Sequence, residues 1–256
     1  MNLGLENRRA LVTGASRGLG RAITLALAAE GAAVTAVARN AAQLSQLTAA
    51  VSGPGSVATR VCDLSDAAAI QGLAGVLENL DVLVLNTGGP PAGTAAETTD
   101  ALWSAHFEAM FLSVVRLTRA ALPGMRKRGF GRIIAVVSSG VIQPIPNLAI
   151  SNALRLALVG WAKTLATEVA GQGITVNCLA PGRIATDRVA EMDSARAKRE
   201  GISVDDVERQ SRATIPAGRY GEADEFAAMA AFLASHQASY MTGGVIRVDG
   251  GMIRSV

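Results

Sequence analysis

The sequence predicts one doubly wound α/β domain, an open sheet of about seven parallel strands with helices on both faces. Three observations point there. Apolar runs of strand length alternate with helical stretches along the whole chain. Hydrophobicity within those runs is continuous rather than alternating, as in strands covered on both sides. A glycine-rich turn directly follows the first run and opens a helix.

The strands are read at Ala10–Thr13, Ala33–Ala38, Val57–Cys62, Val82–Asn86, Ile133–Ser138, Thr175–Leu179 and Val245–Val248. The first helix starts in the glycine turn and continues through Leu27. A long helix is expected between Thr99 and Arg128, stopped by Gly129-Phe130-Gly131, and another from about Ile150 to Ala170, stopped by Gly171 and Gly173. No linker, low-complexity run or repeat divides the 256 residues, half of them apolar, so residues 1–256 are read as a single domain with a sizeable core. Sheets of this kind bind ligands beyond the carboxyl ends of their strands.

Composition narrows the function classes. Charges such as Glu30 and Arg116 interrupt the apolar stretches, and none approaches the roughly 20 residues that cross a bilayer. The N-terminus has no charged start, apolar run and cleavage site, so a soluble, cytoplasmic protein without a membrane role is expected. The net charge is +3 with scattered arginines, and no nucleic-acid partner is expected. The densest cluster, Arg126-Lys127-Arg128 with Arg132, is read as solvated helix-end charge, with docking of an acidic carrier or partner as the alternative. Cys62 and Cys178 stand alone in apolar runs, which suits buried free thiols rather than a disulfide or a metal site.

The glycine turn reads Thr13-Gly14-Ala15-Ser16-Arg17-Gly18-Leu19-Gly20. Glycines let the backbone turn sharply and approach a pyrophosphate, whose charge the helix N-terminus attracts. An NAD site would place an acidic residue at the end of the second strand to hold the ribose 2′-hydroxyl. Here Arg39 stands there and Arg17 lies in the loop itself. Two guanidinium groups suit a 2′-phosphate, so the expected cofactor is NADP, with NAD as the alternative if Arg39 is only a solvent-facing strand-end residue.

With the Gly14, Gly18, Gly20 spacing the chain resembles the short-chain dehydrogenase/reductase superfamily, from about Leu5 to Met252, which implies a Rossmann-type sheet. Cys62-Asp63-Leu64 looks like that family's adenine-contacting segment, and Asn86-Thr87-Gly88-Gly89 stands where it has Asn-Ala-Gly. Pro181-Gly182-Arg183-Ile184-Ala185-Thr186 matches its Pro-Gly loop, which implies that Pro181, Gly182, Ile184 and Thr186 hold the nicotinamide end of the cofactor. Pro216-Ala217-Gly218-Arg219-Tyr220-Gly221, Tyr240-Met241-Thr242-Gly243-Gly244 and Val248-Asp249-Gly250-Gly251 look most like its β-ketoacyl-[acyl carrier protein] reductase branch.

Members of that family commonly use an asparagine, a serine, and a tyrosine with a lysine one turn later. Alignment through Gly131-Arg132-Ile133-Ile134 and Leu158-Val159-Gly160-Trp161 puts the serine at Ser138 but places Ser151 and Arg155 at the tyrosine and lysine; the asparagine falls on Met110. A phenol of unperturbed pKa about 10 is brought toward neutrality by an adjacent ammonium, whereas an alkyl hydroxyl is a far weaker acid. Ser151 is also too short to reach where a phenol oxygen would lie. Arg155 keeps a positive charge on the same helical face but cannot be deprotonated. Met110 offers no hydrogen bond to position a water. Pro90 and Pro91 should stiffen the loop bordering the nicotinamide.

Other groups are weighed as substitutes. Tyr220 and Tyr240 occupy positions the family explains structurally, His236 sits in a polar stretch, and Lys163 lies two turns past Arg155, too far to replace a lysine there. His106, one turn before Met110 on the same face, is either a stand-in acid or an ordinary helix-interface histidine.

Two functional readings result. In the first, an atypical NADP(H)-dependent oxidoreductase reduces a carbonyl or ketoacyl small molecule of unknown identity, with Ser138 and Ser151 hydrogen-bonding its oxygen and Arg155 supplying positive charge. In the second, a catalytically inactive nicotinamide-binding protein serves as a sensor or assembly partner. Non-redox catalysis such as dehydration finds no obvious general base. Residues 187–215, rich in alternating charge, are read as a mobile substrate lid or an ordinary exposed helix pair. The small and apolar residues of the two long helices predict a homotetramer or homodimer.

Overall fold

The computed structural model describes residues 2–255. Seven strands form one sheet in the order β3-β2-β1-β4-β5-β6-β7, every neighbouring pair parallel: β1 Arg9–Thr13, β2 Ala33–Ala38, β3 Ser56–Val61, β4 Val82–Leu85, β5 Gly131–Val136, β6 Ile174–Pro181 and β7 Val245–Val248. Successive strand residues point to opposite faces, so each strand feeds two cores. Val12, Val34, Val84, Ile134 and Leu179 pack under helices α1 (Gly18–Ala29), α2 (Ala41–Ala49) and a C-terminal helix at Ala223–Ala234. Leu11, Leu83, Ile133, Val176 and Cys178 pack on the other side, against the layer formed by the helices between β3 and β6.

Continuous apolar runs mark the covered strands; the edges depart from them. β3 alternates in exposure and leaves Val61 64% exposed, while β7 is only half-buried. Short helices α3 (Ala67–Gln71) and α4 (Ala74–Glu78) lead into β4.

The long helix expected between Thr99 and Arg128 is not continuous. It consists of α5 (Asp100–Phe107), a π-turn at Glu108–Leu112 and α6 (Ser113–Arg128). The extra residue of a π-turn changes the phase of the helix, and Met110 sits within it, buried against Ile150, Leu154 and the partly buried Trp103. The helix α7 spans Ala149–Val169, close to its expected bounds. The segment 187–215 forms two helices, α8 (Asp187–Glu200) and α9 (Val204–Ala213), before α10 at Ala223–Ala234.

α8 is tied to the body by a buried charge cluster. Arg183 donates to Asp193 at 2.5 Å, and the Tyr220 hydroxyl donates to the other oxygen of that carboxylate at 2.8 Å. Asp193 is 1% exposed. Tyr220 therefore anchors the helix pair, whereas Tyr240 is fully exposed.

In the basic cluster at the end of α6, Arg126 and Lys127 are exposed, as expected of helix-end charge, whereas Arg128 and Arg132 depart from that expectation. Arg128 reaches the buried Asp81 at 3.1 Å, and Arg132 is buried, with Phe130 at 4.2 Å and donated bonds to the carbonyls of Ser235, Gly131 and Gly173. β5 starts at Gly131, which draws Arg132 into the sheet; the glycine turn between helix and strand is too short to leave it outside. Cys62 and Cys178 are buried free thiols, and burial pushes Cys178 up to about 12.

Candidate functional site

The strand order reverses between β1 and β4, and a crevice opens beyond the carboxyl ends of these two strands. Thr13 stitches its walls together, its hydroxyl accepting from the Asn86 N–H at 2.9 Å, while the Asn86 side-chain amide donates to the Gly14 carbonyl at 3.2 Å. The backbone there leaves no room for side chains. A Cβ on Gly14, whose φ is +58°, would stand 2.5 Å from the Asn86 carbonyl oxygen, and one on Gly20 2.2 Å from that of Gly14. Helix α1 starts behind this turn with no side-chain cap and no acidic residue in its first turn, so its N–H groups and dipole are left for an anion.

The crevice is a cleft of about 710 Å³. Of the proposed cofactor positions, Gly14, Ser16, Arg17, Gly18, Leu19, Arg39, Asp63, Leu64, Asn86, Gly88, Pro181, Gly182, Ile184 and Thr186 line it; Gly20 lies behind Gly14. A side hollow of about 570 Å³ opens from it between Ser16, Arg17, Arg39, Asn40 and Gln43, with no carboxylate among the described residues of its wall. Arg39 is held only loosely, 4.0 Å from Asp63, whose carboxyl is kept below its ordinary range mainly by hydrogen bonds from Ser65. Arg17 meets Glu191 of α8 at 3.1 Å. A dinucleotide carrying a third phosphate fits these residues: a glycine cradle and free helix end for the pyrophosphate, and two exposed guanidiniums for the phosphate on the ribose.

Ser138, Ser151, Arg155, Met110 and His106 line the same cleft. Ser138 follows β5 and its hydroxyl accepts from the Gly140 N–H at 3.1 Å. Asn152 fixes this loop, bonding both ways with the Ile145 backbone at 2.8 and 3.2 Å. Ser151 is buried one turn before Arg155 on α7. The Arg155 guanidinium does not hang free in the cleft. It donates to the carbonyls of Val136 at 2.7 Å and Thr87 at 3.4 Å, fixing a charge in the cleft wall between β5 and the loop after β4. Burial, with a smaller contribution from Arg188, pulls its pKa down to about 10. Burial also lowers His106.

Three participants were not singled out from the sequence. Arg188 donates to the Pro90 carbonyl at 2.8 Å and joins α8 to the rim of the cleft. Thr87 buries a hydroxyl that finds no partner among the described residues. Asn152 is the third. A run of alternating charge hides Arg188, and nothing local distinguishes Asn152 or Thr87.

Known proteins share this arrangement. The model of the family described as enoyl-(acyl carrier protein) reductase matches residues 14–253. The chain is 37% identical over 254 residues to 3-oxoacyl-[acyl-carrier-protein] reductase FabG of Escherichia coli, covering 98% of this chain and 99% of that one. It is 34% identical to the NADPH-dependent reductase BacG of Bacillus subtilis, covering 98% and 100%. The solved L-sorbose reductase of Gluconobacter frateurii, complexed with NADPH and L-sorbose, superposes with a TM-score of 0.94 at 31% identity and full coverage of both chains. The actinorhodin polyketide ketoreductase with NADPH superposes with a TM-score of 0.89 at 34% identity, covering 96% and 97%. With similarity that spans the chain from end to end, this chain belongs to the short-chain dehydrogenase/reductase superfamily, on its 3-oxoacyl-[acyl-carrier-protein] reductase-like branch.

Proposed function

We propose that the protein is an NADP(H)-dependent oxidoreductase that reduces the carbonyl group of a small molecule through a non-standard site. The carrying observation is the hollow at Ser16, Arg17, Arg39, Asn40 and Gln43, which opens off the dinucleotide cleft and, among the described residues, is lined by two guanidiniums and no carboxylate. The NADPH-bound structures of related reductases support the same cofactor. Bound there, the cofactor supplies a hydride. The chain's part is to hold the carbonyl oxygen. Ser138 and Ser151 offer hydroxyl donors from two elements, and Arg155 fixes a positive charge behind them, favouring the oxygen as it gains negative charge. Helices α8 and α9 form the substrate-side cover of a single domain, clamped at Asp193. Leu102 and Phe107 of α5 and Leu156 of α7 are exposed apolar residues, which supports assembly into a dimer or tetramer through these helices.

The test is cofactor discrimination. NADPH should bind more tightly than NADH, and Arg39→Asp should remove one guanidinium and place a carboxylate near Asp63. A charge-assisted contact contributes about 1.5–3 kcal/mol, and the low end applies because Arg39 is 79% exposed and salt-screened. The NADPH advantage should therefore fall roughly tenfold or more in a fluorescence titration. Equal binding of both nucleotides by the wild type, or a preference untouched by Arg39→Asp, would overturn the assignment.

A further inference from the structure

Arg155 is 7% exposed, and no carboxylate lies within ion-pair distance of it among the described residues. Its two protein partners are neutral carbonyls. A buried charge without a counter-ion is costly, and proteins normally pair it. A second guanidinium, Arg188, lines the same cleft; it is held by the Pro90 carbonyl, and Glu191, 3.7 Å away, also serves Arg17. Next to Arg155, the buried Thr87 hydroxyl also finds no partner among the described residues. The carboxylates that line the cleft stand elsewhere: Asp63 faces Arg39, and Asp187 is exposed where α8 begins.

We infer that this cleft takes an anionic substrate, a small oxo acid whose carboxylate pairs with Arg155 and accepts a hydrogen bond from Thr87, with Arg188 closing over it from α8. The assignment rests on the carbonyl-reductase reading above and specifies its substrate class. A guanidinium has five N–H donors in a planar fork, and two are spent on carbonyls, so enough remain for one bidentate carboxylate. Hydroxyl groups of a nucleoside would accept those bonds but would leave the buried Arg155 charge without a counter-ion, since Glu191 stands beside Arg188 and not beside Arg155. The side chains of Met110, Met192, Ile145 and Leu148 supply an apolar wall for the rest of such a molecule.

The experiment uses phenylpyruvate and its methyl ester, which share the carbonyl and the ring and differ by one charge. Calorimetric titration into protein saturated with NADP⁺ should show the acid binding roughly ten- to a hundredfold more tightly than the ester, the range of a charge-assisted pair. Arg155→Met should erase that preference, Arg155→Lys should keep most of it, and Arg188→Gln should reduce it. Thr87→Val should weaken the acid a few-fold without lowering the melting temperature, because it removes an unsatisfied buried hydroxyl. If Arg155→Met does not fold, the Arg188 and Thr87 variants carry the comparison. Equal affinity for acid and ester, or displacement of NADP⁺ by phenylpyruvate, overturns the inference. Failure to saturate with NADP⁺ would instead overturn the cofactor assignment, so the two outcomes are distinct.

Discussion

Rebuilding a proton relay in this cleft tests whether the framework is sound and only its acid is missing. The perturbation is Ser151→Tyr with Arg155→Lys, with and without Met110→Asn. Ser151 lines the cleft, so a phenol there stands at the cleft wall, and a lysine one turn later keeps a cation beside it. General-acid catalysis contributes roughly 10²- to 10⁴-fold, so the double variant should consume NADPH at least about 100-fold faster than wild type with a neutral β-keto ester such as ethyl acetoacetate. Met110 is different. It is 1% exposed among Ile150, Leu154 and Trp103, and replacing it by an amide costs about 3 kcal/mol of packing and desolvation. That corresponds to a melting temperature lower by roughly 6–12 °C for a chain of this size. The triple variant therefore has to be assayed well below its transition. Brisk wild-type turnover of ethyl acetoacetate that survives Ser138→Ala and Ser151→Ala would refute the reasoning. His106, in the same cleft, would then be the first candidate for the proton donor.

Three further outcomes are expected. Asp193→Asn leaves Arg183 without its counter-ion; because Arg183 is a quarter exposed the loss should be about 2–3 kcal/mol, seen as a melting temperature roughly 4–12 °C lower, and an unchanged transition would show that the clamp carries no stability. The Glu225 carboxyl is drawn down to about 2, chiefly by the Arg219 guanidinium, so the stability from that pair is complete above about pH 4.5 and lost as pH falls toward 2; urea titrations should show Glu225→Gln below wild type at pH 7 and level with it near pH 2. Light scattering should give a mass of two or four chains of 26.2 kDa, and a monomeric mass at micromolar concentration would exclude assembly through α5 and α7.

The legible parts of this molecule are those where one local rule fixes the outcome. Gly14 and Gly20 could be placed because only glycine tolerates a carbonyl 2.2–2.5 Å from where a Cβ would sit, and the covered strands because a parallel sheet buried on both faces favours apolar side chains. The π-turn at Glu108–Leu112 was not legible: its residues are ordinary helix formers, and its packing beside α7 is a tertiary feature that no local pattern carries. Arg132 misled for a related reason, since a cation next to a helix end normally meets water and is buried here only because β5 begins one residue earlier.

Arg155 shows where sequence reasoning reaches furthest and then stops. Alignment with the family's tyrosine and lysine positions put a cation here, yet it did not show that two carbonyls immobilise the guanidinium and that no acid among the described residues faces it. Immobilisation removes the freedom an ammonium needs to shuttle a proton; the missing counter-ion leaves a charge that a ligand's carboxylate would pair. Both properties arise from β5, the loop after β4 and α7 meeting in space. On the proposed reading, the residue that weakens the site for neutral carbonyl substrates equips it for a charged one, and the acid and ester pair separates these two effects of a single side chain.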